Sequence, residues 1–186
     1  MHAIRTILLG ASAVVALGVC AGATPAASAA PAPSANPFAQ PSPLPFQAPQ
    51  FDKIKDSDYE PALEEGMKQQ LAEIDKIANN SAPPTFENTI VAMEKSGQML
   101  ARAAQTFFNI IGANTNDTLD KVQTAVAPKL AAHQDAIFLN PKLFARVKAI
   151  YDSRDKLHLD PESQQLLKID YLQFIHAGAN LSDADK

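Results

Sequence analysis

The chain has 186 residues, enough for one ordinary domain, with 20 acidic against 16 basic side chains and a formal charge of −4. That balance argues against nucleic acid as a partner, because its phosphates demand a basic face. One cysteine in the whole chain, Cys20, rules out a disulfide framework.

Residues 1–29 read as a signal peptide. Arg5 supplies the positive start, and Ile7 to Val19 form an uncharged apolar run of 13 residues. That run is too short to span a bilayer comfortably as a helix, so no stable membrane insertion is expected after cleavage. Ala21-Gly22-Ala23 and Ala27-Ser28-Ala29 both fit the small-residue cleavage pattern. A lipoprotein signal is the minor alternative, since Leu17-Gly18-Val19 precedes Cys20, but Val19 stands where a small residue is wanted. Cleavage removes Arg5 and Cys20, takes the charge to −5, and leaves no thiol nucleophile. The expected location is the periplasm or the exterior.

Residues 30–50 read as a Pro-rich linker. Eight of the fourteen prolines lie between Pro25 and Pro49, and proline denies a helix its donor. Phe38, Leu44, Phe46 and Phe51 are more apolar than a free linker needs, so the part from about Pro43 is expected to lie along the folded body.

From residue 51 to 186 the period turns helical. Tyr59, Leu63, Met67, Leu71, Ile74 and Ile77 recur at steps of four and three, and Asn79-Asn80 with Pro83-Pro84 stops that helix. Thr85 caps a second, longer one. Its seam is Phe86, Ile90, Met93, Gly97, Leu100, Ala104, Phe107 and Ile111. Gly97 costs about 1 kcal/mol inside a helix, so its place on the seam predicts close approach of a neighbouring helix. Asn116 caps a third, with Leu119, Val122, Val126, Leu130, His133 and Ile137 inward and a kink or break expected before Pro128. Pro141 and Pro161 open a fourth and a fifth. Their expected inner faces are Leu143, Phe144, Val147, Ile150 and Tyr151, then Leu166, Ile169, Leu172 and Ile175. Ser182, Asp183 and Asp185 look like the opening turn of a sixth, so the sequence reads as the front part of something longer. No strand alternation appears. The fold class is all-α, an antiparallel array of about five helices.

Chemistry-bearing residues form no recognisable site. The histidines are His2, His133, His158 and His176, without His pairs at helical spacing and without a His-Glu-x-x-His motif. His133, on an inner stripe, reads as a structural core residue, since a metal site needs three or more converging ligands. Glu64-Glu65 and the pair Asp183 and Asp185 read as solvated surface and helix-start acids. No phosphate loop or nucleophile elbow is present. Asn116-Asp117-Thr118 fits a glycosylation sequon but serves better as a cap. Catalytic, cofactor and metal residues are therefore all expected to be absent from this chain.

Several blocks nevertheless go beyond generic helices. Pro-Thr-Phe-Glu-Asn-Thr-Ile at 84–90, running into Met93-Glu94-Lys95-Ser96-Gly97, resembles the N-terminal region of the thimet-oligopeptidase family of zinc metallopeptidases. Its bacterial peptidyl-dipeptidase and oligopeptidase A branch is the nearest in pattern. Phe51-Asp52-Lys53-Ile54, Ala113-Asn114-Thr115-Asn116-Asp117 and Leu139-Asn140-Pro141-Lys142-Leu143-Phe144 are similar too. The resemblance spans about Leu44 to Lys186. It implies an N-terminal fragment of a much longer, mostly helical hydrolase that cleaves short peptides. In that parent a His-Glu-x-x-His helix and a later Glu hold zinc, and this chain forms one wall of a substrate channel. The partners so implied are short peptides and the missing C-terminal catalytic part. None of the family's catalytic positions falls in this chain, so the chain alone is expected to be inactive and to bind no zinc. The competing expectation is a stand-alone exported helical protein that binds a partner through its Phe-rich seam.

Overall fold

A computed structural model describes residues 36–181. The signal peptide with Arg5, His2 and Cys20, the first residues of the Pro-rich stretch, and the opening turn at Ser182, Asp183 and Asp185 lie outside the described residues. Among those described there is no strand, and the elements are α1 (Tyr59–Ala78), α2 (Ala92–Glu94), α3 (Gln98–Ala113), α4 (Asp117–Phe138), α5 (Pro141–Asp152) and α6 (Pro161–His176). A π-helical turn, Phe86–Val91, leads into α2. The all-α class and the helical array are as the sequence implies.

The helix starts follow local chemistry. Asn116, Asn140 and Asp160 each accept two backbone N–H groups of the turn they open, at 2.9–3.1 Å. Proline stands at the first position of α5 and α6, where its missing donor costs nothing.

Helix α1 joins two apolar cores. Its first half, through Tyr59, Ala62 and Leu63, packs with Phe38, Met99, Ala103, Phe107, Leu119 and Val126. Its second half, through Ile74 and Ala78, packs with Ile90, Ile137, Leu143, Val147, Leu167 and Phe174. Helix α4 is shared the same way, Leu119 to Val126 in the first core and Ile137 in the second. On the outside, Lys129 of α4 pairs with Glu60 and Glu64 of α1. The Pro-rich stretch touches the body earlier than Pro43: Phe38 is buried, its ring 5.4 Å from that of Tyr59.

Three expectations change. The second helix is not continuous. The chain breaks between Glu94 and Gln98, and Gly97 sits there at φ 68° as the N-cap of α3. Gly97 is thus a left-handed hinge. The close approach predicted for it occurs at Gly66, where an added Cβ would lie 2.7 Å from both the backbone N and Cα of Leu100. Pro128 does not break α4, which runs through it unbroken from Asp117 to Phe138. Pro128 is exposed, so the carbonyl it leaves unpaired faces water, while Val126 and His133 keep the inner face buried. In α6 the buried residues are Leu167, Asp170 and Phe174, while Ile169 is 43% exposed. The inner face is turned one residue from the expected one, because Asp170 made the wholly apolar alternative read better.

The two glycines of the α1–α3 pair give opposite expectations. Gly66→Ala drives a methyl into backbone that cannot swing aside and should cost roughly 1–3 kcal/mol. Gly112→Ala meets nothing within 4 Å and should gain up to about 1 kcal/mol. Urea denaturation of the two variants measures both; equal effects would contradict the packing described.

Candidate functional site

The residues that carry the family resemblance converge on a buried cation. Thr85 begins the π-helical turn as a capping box: the backbone N–H of Asn88 donates to Thr85 Oγ1 at 3.1 Å, and that of Thr85 donates to Asn88 Oδ1 at 2.9 Å. Asn88 Nδ2 donates to the carbonyl of Pro83 at 2.9 Å. Asn88 Oδ1 also accepts from Thr89 Oγ1 and from Arg146 Nη2, both at 2.9 Å. Arg146, buried on α5, spends its other donors on Thr89 Oγ1 at 3.2 Å and on the carbonyls of Asn80 and Ala82 at 2.8 and 3.1 Å. Among the described residues no carboxylate pairs with it. A guanidinium with its fork of donors filled by neutral acceptors is a latch, holding the 80–89 segment against the second core. The Pro-Thr-Phe-Glu-Asn-Thr block is therefore an architectural motif. Arg146 was legible in principle: it shares the helical face of Leu143, Val147 and Ile150.

Between the two cores lies a second polar layer. His133 Nε2 is 2.8 Å from Gln70 Oε1. Gln70 Nε2 donates to Ser96 Oγ at 3.3 Å, and Ser96 Oγ donates to the carbonyl of Met93 at 2.7 Å. This chain of bonds sets the amide of Gln70 and assigns the His133 proton to Nε2. His133 Nδ1 then faces the interior with no partner. Burial holds the imidazole below its ordinary pKa. At the hinge, the N–H of Gly97 donates to Glu73 Oε2 at 2.8 Å. A Cβ on Gly97 would come within 2.4 Å of the Gln70 side chain. As expected from its inner stripe, His133 is a core histidine.

The remaining titratable groups do not assemble a reaction centre. His158 is exposed in a left-handed turn at φ 48°, and His176 ends α6 on the surface. Glu64 faces Lys129, and Glu65 accepts from Gln69 at 3.0 Å, so the pair serves the surface. Among the described residues no three His, Cys, Asp or Glu side chains gather as metal ligands. A groove of about 480 Å³ beside Tyr151, Arg154, His158 and Lys168 is polar and open. Another, of about 390 Å³, lies between the Pro-rich stretch and α3. Among the described residues Asp170 is the one buried carboxylate, its Oδ2 without a partner there. Burial, helped by the nearby charge of Glu94, pushes its pKa from 3.8 up to about 7.

The chain is 45% identical over 141 residues to the dipeptidyl carboxypeptidase of Salmonella typhimurium, and equally so to that of Escherichia coli. This region is a relative of the dipeptidyl carboxypeptidases. The match takes in 76% of this chain but only 21% of each relative's length. No family model matches the chain. The chain therefore corresponds to about a fifth of the length of the peptidases it matches.

Removing the latch tests its role. Arg146→Ala removes a donor from Thr89 Oγ1 in a buried bond and from Asn88 Oδ1 and the carbonyls of Asn80 and Ala82 in partly buried ones, and should cost roughly 1–3 kcal/mol. Arg146→Lys should recover little, because an ammonium cannot span the fork. Urea midpoints decide this, and full recovery by lysine would contradict it.

Asp170 gives a pH dependence. The folded chain keeps this proton where the unfolded chain has released it. Its contribution to stability is thus complete below about pH 4 and is lost as pH rises to about 7, at roughly 1.4 kcal/mol per pH unit within that window. His133 works in the opposite sense, since the unfolded imidazole takes a proton below about pH 6.5 that the folded one refuses. Unfolding measured at pH 5 and pH 8 should show a loss of stability that shrinks by roughly 3 kcal/mol in Asp170→Asn. The same loss in both proteins would contradict the assignment.

Proposed function

We propose that this chain is the N-terminal scaffold of an exported zinc metallopeptidase that hydrolyses short peptides in the manner of a peptidyl-dipeptidase. One observation carries the reading: a 45% identity that takes in three quarters of this chain but a fifth of the dipeptidyl carboxypeptidases it matches. A stretch so similar and so partial belongs to a larger catalytic body.

The donors present here do not fit the metal, since the described His, Asp and Glu side chains are spread over separate faces and cores. The zinc, and the His-Glu-x-x-His helix that would hold it, are assigned to the rest of the parent. What this chain supplies is a rigid wall: two cores on one spine, locked by Arg146. Export rests on Arg5, the apolar run from Ile7 to Val19 and the two small-residue cleavage patterns. Among the described residues no helix is long and apolar enough to cross a membrane.

The competing reading, a stand-alone exported protein that binds a partner through its Phe-rich seam, is weakened because Ile90 and Phe107 of that seam are fully buried in the two cores. The DNA that follows the codon for Lys186 separates the two. An in-frame continuation encoding His-Glu-x-x-His is the expected result. A natural stop codon there would overturn the scaffold reading and favour the binding protein.

A further inference from the structure

The Pro-rich stretch is a strap pinned at both ends, with its middle turned outward. At one end Phe38 enters the first core, and Asn36 Nδ2 donates to the carbonyl of Asp58 at 2.8 Å. Arg102 of α3 holds the same end, its Nη2 donating to the carbonyl of Phe38 at 3.0 Å. At the other end Ile54 packs on that core. Between these anchors Phe46 and Gln47 stand in left-handed backbone at φ 57° and 56°, a conformation that costs side chains with a Cβ. The side chain so presented is not tucked away. Phe46 is fully exposed, and Phe51 and Leu44 are 57% and 43% exposed. With α3, Phe46 and Phe51 border the groove of about 390 Å³, whose wall also includes Gln105, Thr106 and Asn109. The groove has one charged residue, Arg102, and that guanidinium is engaged by the strap carbonyls.

We propose that this strap face is the seat for an apolar surface of the remaining length of the peptidase. The proposal rests on the reading of this chain as part of a longer peptidase. Two observations select that occupant. The relatives devote about four fifths of their length to sequence outside the match, so a large body must pack somewhere against these helices. And the strap combines a strained backbone with outward aromatic side chains, which nothing among the described residues compensates. A charged partner is disfavoured, because the face offers aromatic rings and side-chain amides and no free charge.

Hydroxyl-radical footprinting of unmodified protein, read residue by residue by mass spectrometry, tests this. Phe46 and Phe51 should be oxidised readily in this chain and at least fivefold more slowly in the longer in-frame peptidase. Phe174, buried in the second core, should stay slow in both. Equal rates for Phe46 and Phe51 in this chain and in an active longer peptidase would overturn the docking face and leave the scaffold reading standing. Protection that grows with concentration in this chain alone would overturn it in favour of a second copy. Absence of any longer product would overturn both readings.

Discussion

Helix α1 can serve two cores because at Gly66 the backbone of α3 comes against it with no side chain between them. That contact brings Met99, Ala103 and Phe107 down onto Tyr59 and Leu63, and so closes the first core. It also fixes where α3 must begin. The chain arriving from α2 has to turn sharply to reach this position, and Gly97 supplies the left-handed backbone that does it. The cleared space at Gly97 is then filled by the side chain of Gln70, which connects the hinge to His133 on α4. One close approach thereby sets the start of α3, the polar layer and the spacing of the two cores.

The polar groups inside the molecule divide by how completely they are satisfied. Arg146 makes four hydrogen bonds and Asn88 Oδ1 accepts three, and together they fasten a segment whose main apolar anchor is Phe86. A charge buried this way specifies one arrangement of loop and helix, since any other leaves acceptors unmet. His133 Nδ1 and Asp170 Oδ2 are left without partners. Burial disfavours the charged form of both, lowering the pKa of the imidazole and raising that of the carboxyl. Asp170 has the charge of Glu94 nearby, and His133 is held through Nε2 by Gln70. The chemistry here supports shape.

The sequence made the helices legible and the interruptions less so. Caps at Asn116, Asn140 and Asp160 and prolines at 141 and 161 mark starts by local hydrogen bonding, which needs no tertiary context. The α4 stripe through His133 was legible for the same reason: it is periodic along one element. Gly97 was misplaced because an apolar seam of steps three and four continues across it in sequence while the backbone turns. Gly66 was missed because its role lies in Leu100, 34 residues away. The α6 face was turned by one residue because a buried Asp170 looks like a solvent residue until its pKa shift is known. The place of Arg146 on the inner face of α5 is legible from its period, but its acceptors sit on a distant loop and leave no local signal. Long-range partners, not local propensity, account for each miss.

The central claim is that this chain is the supporting part of a zinc peptidase whose catalytic residues lie elsewhere. It meets its most direct test in peptide turnover by purified residues 30–186, with one equivalent of zinc added, beside the product of the whole reading frame. The account predicts that the longer product releases dipeptides in a reaction that a chelator stops, and that residues 30–186 release none. Chelator-sensitive turnover by residues 30–186 alone would contradict it.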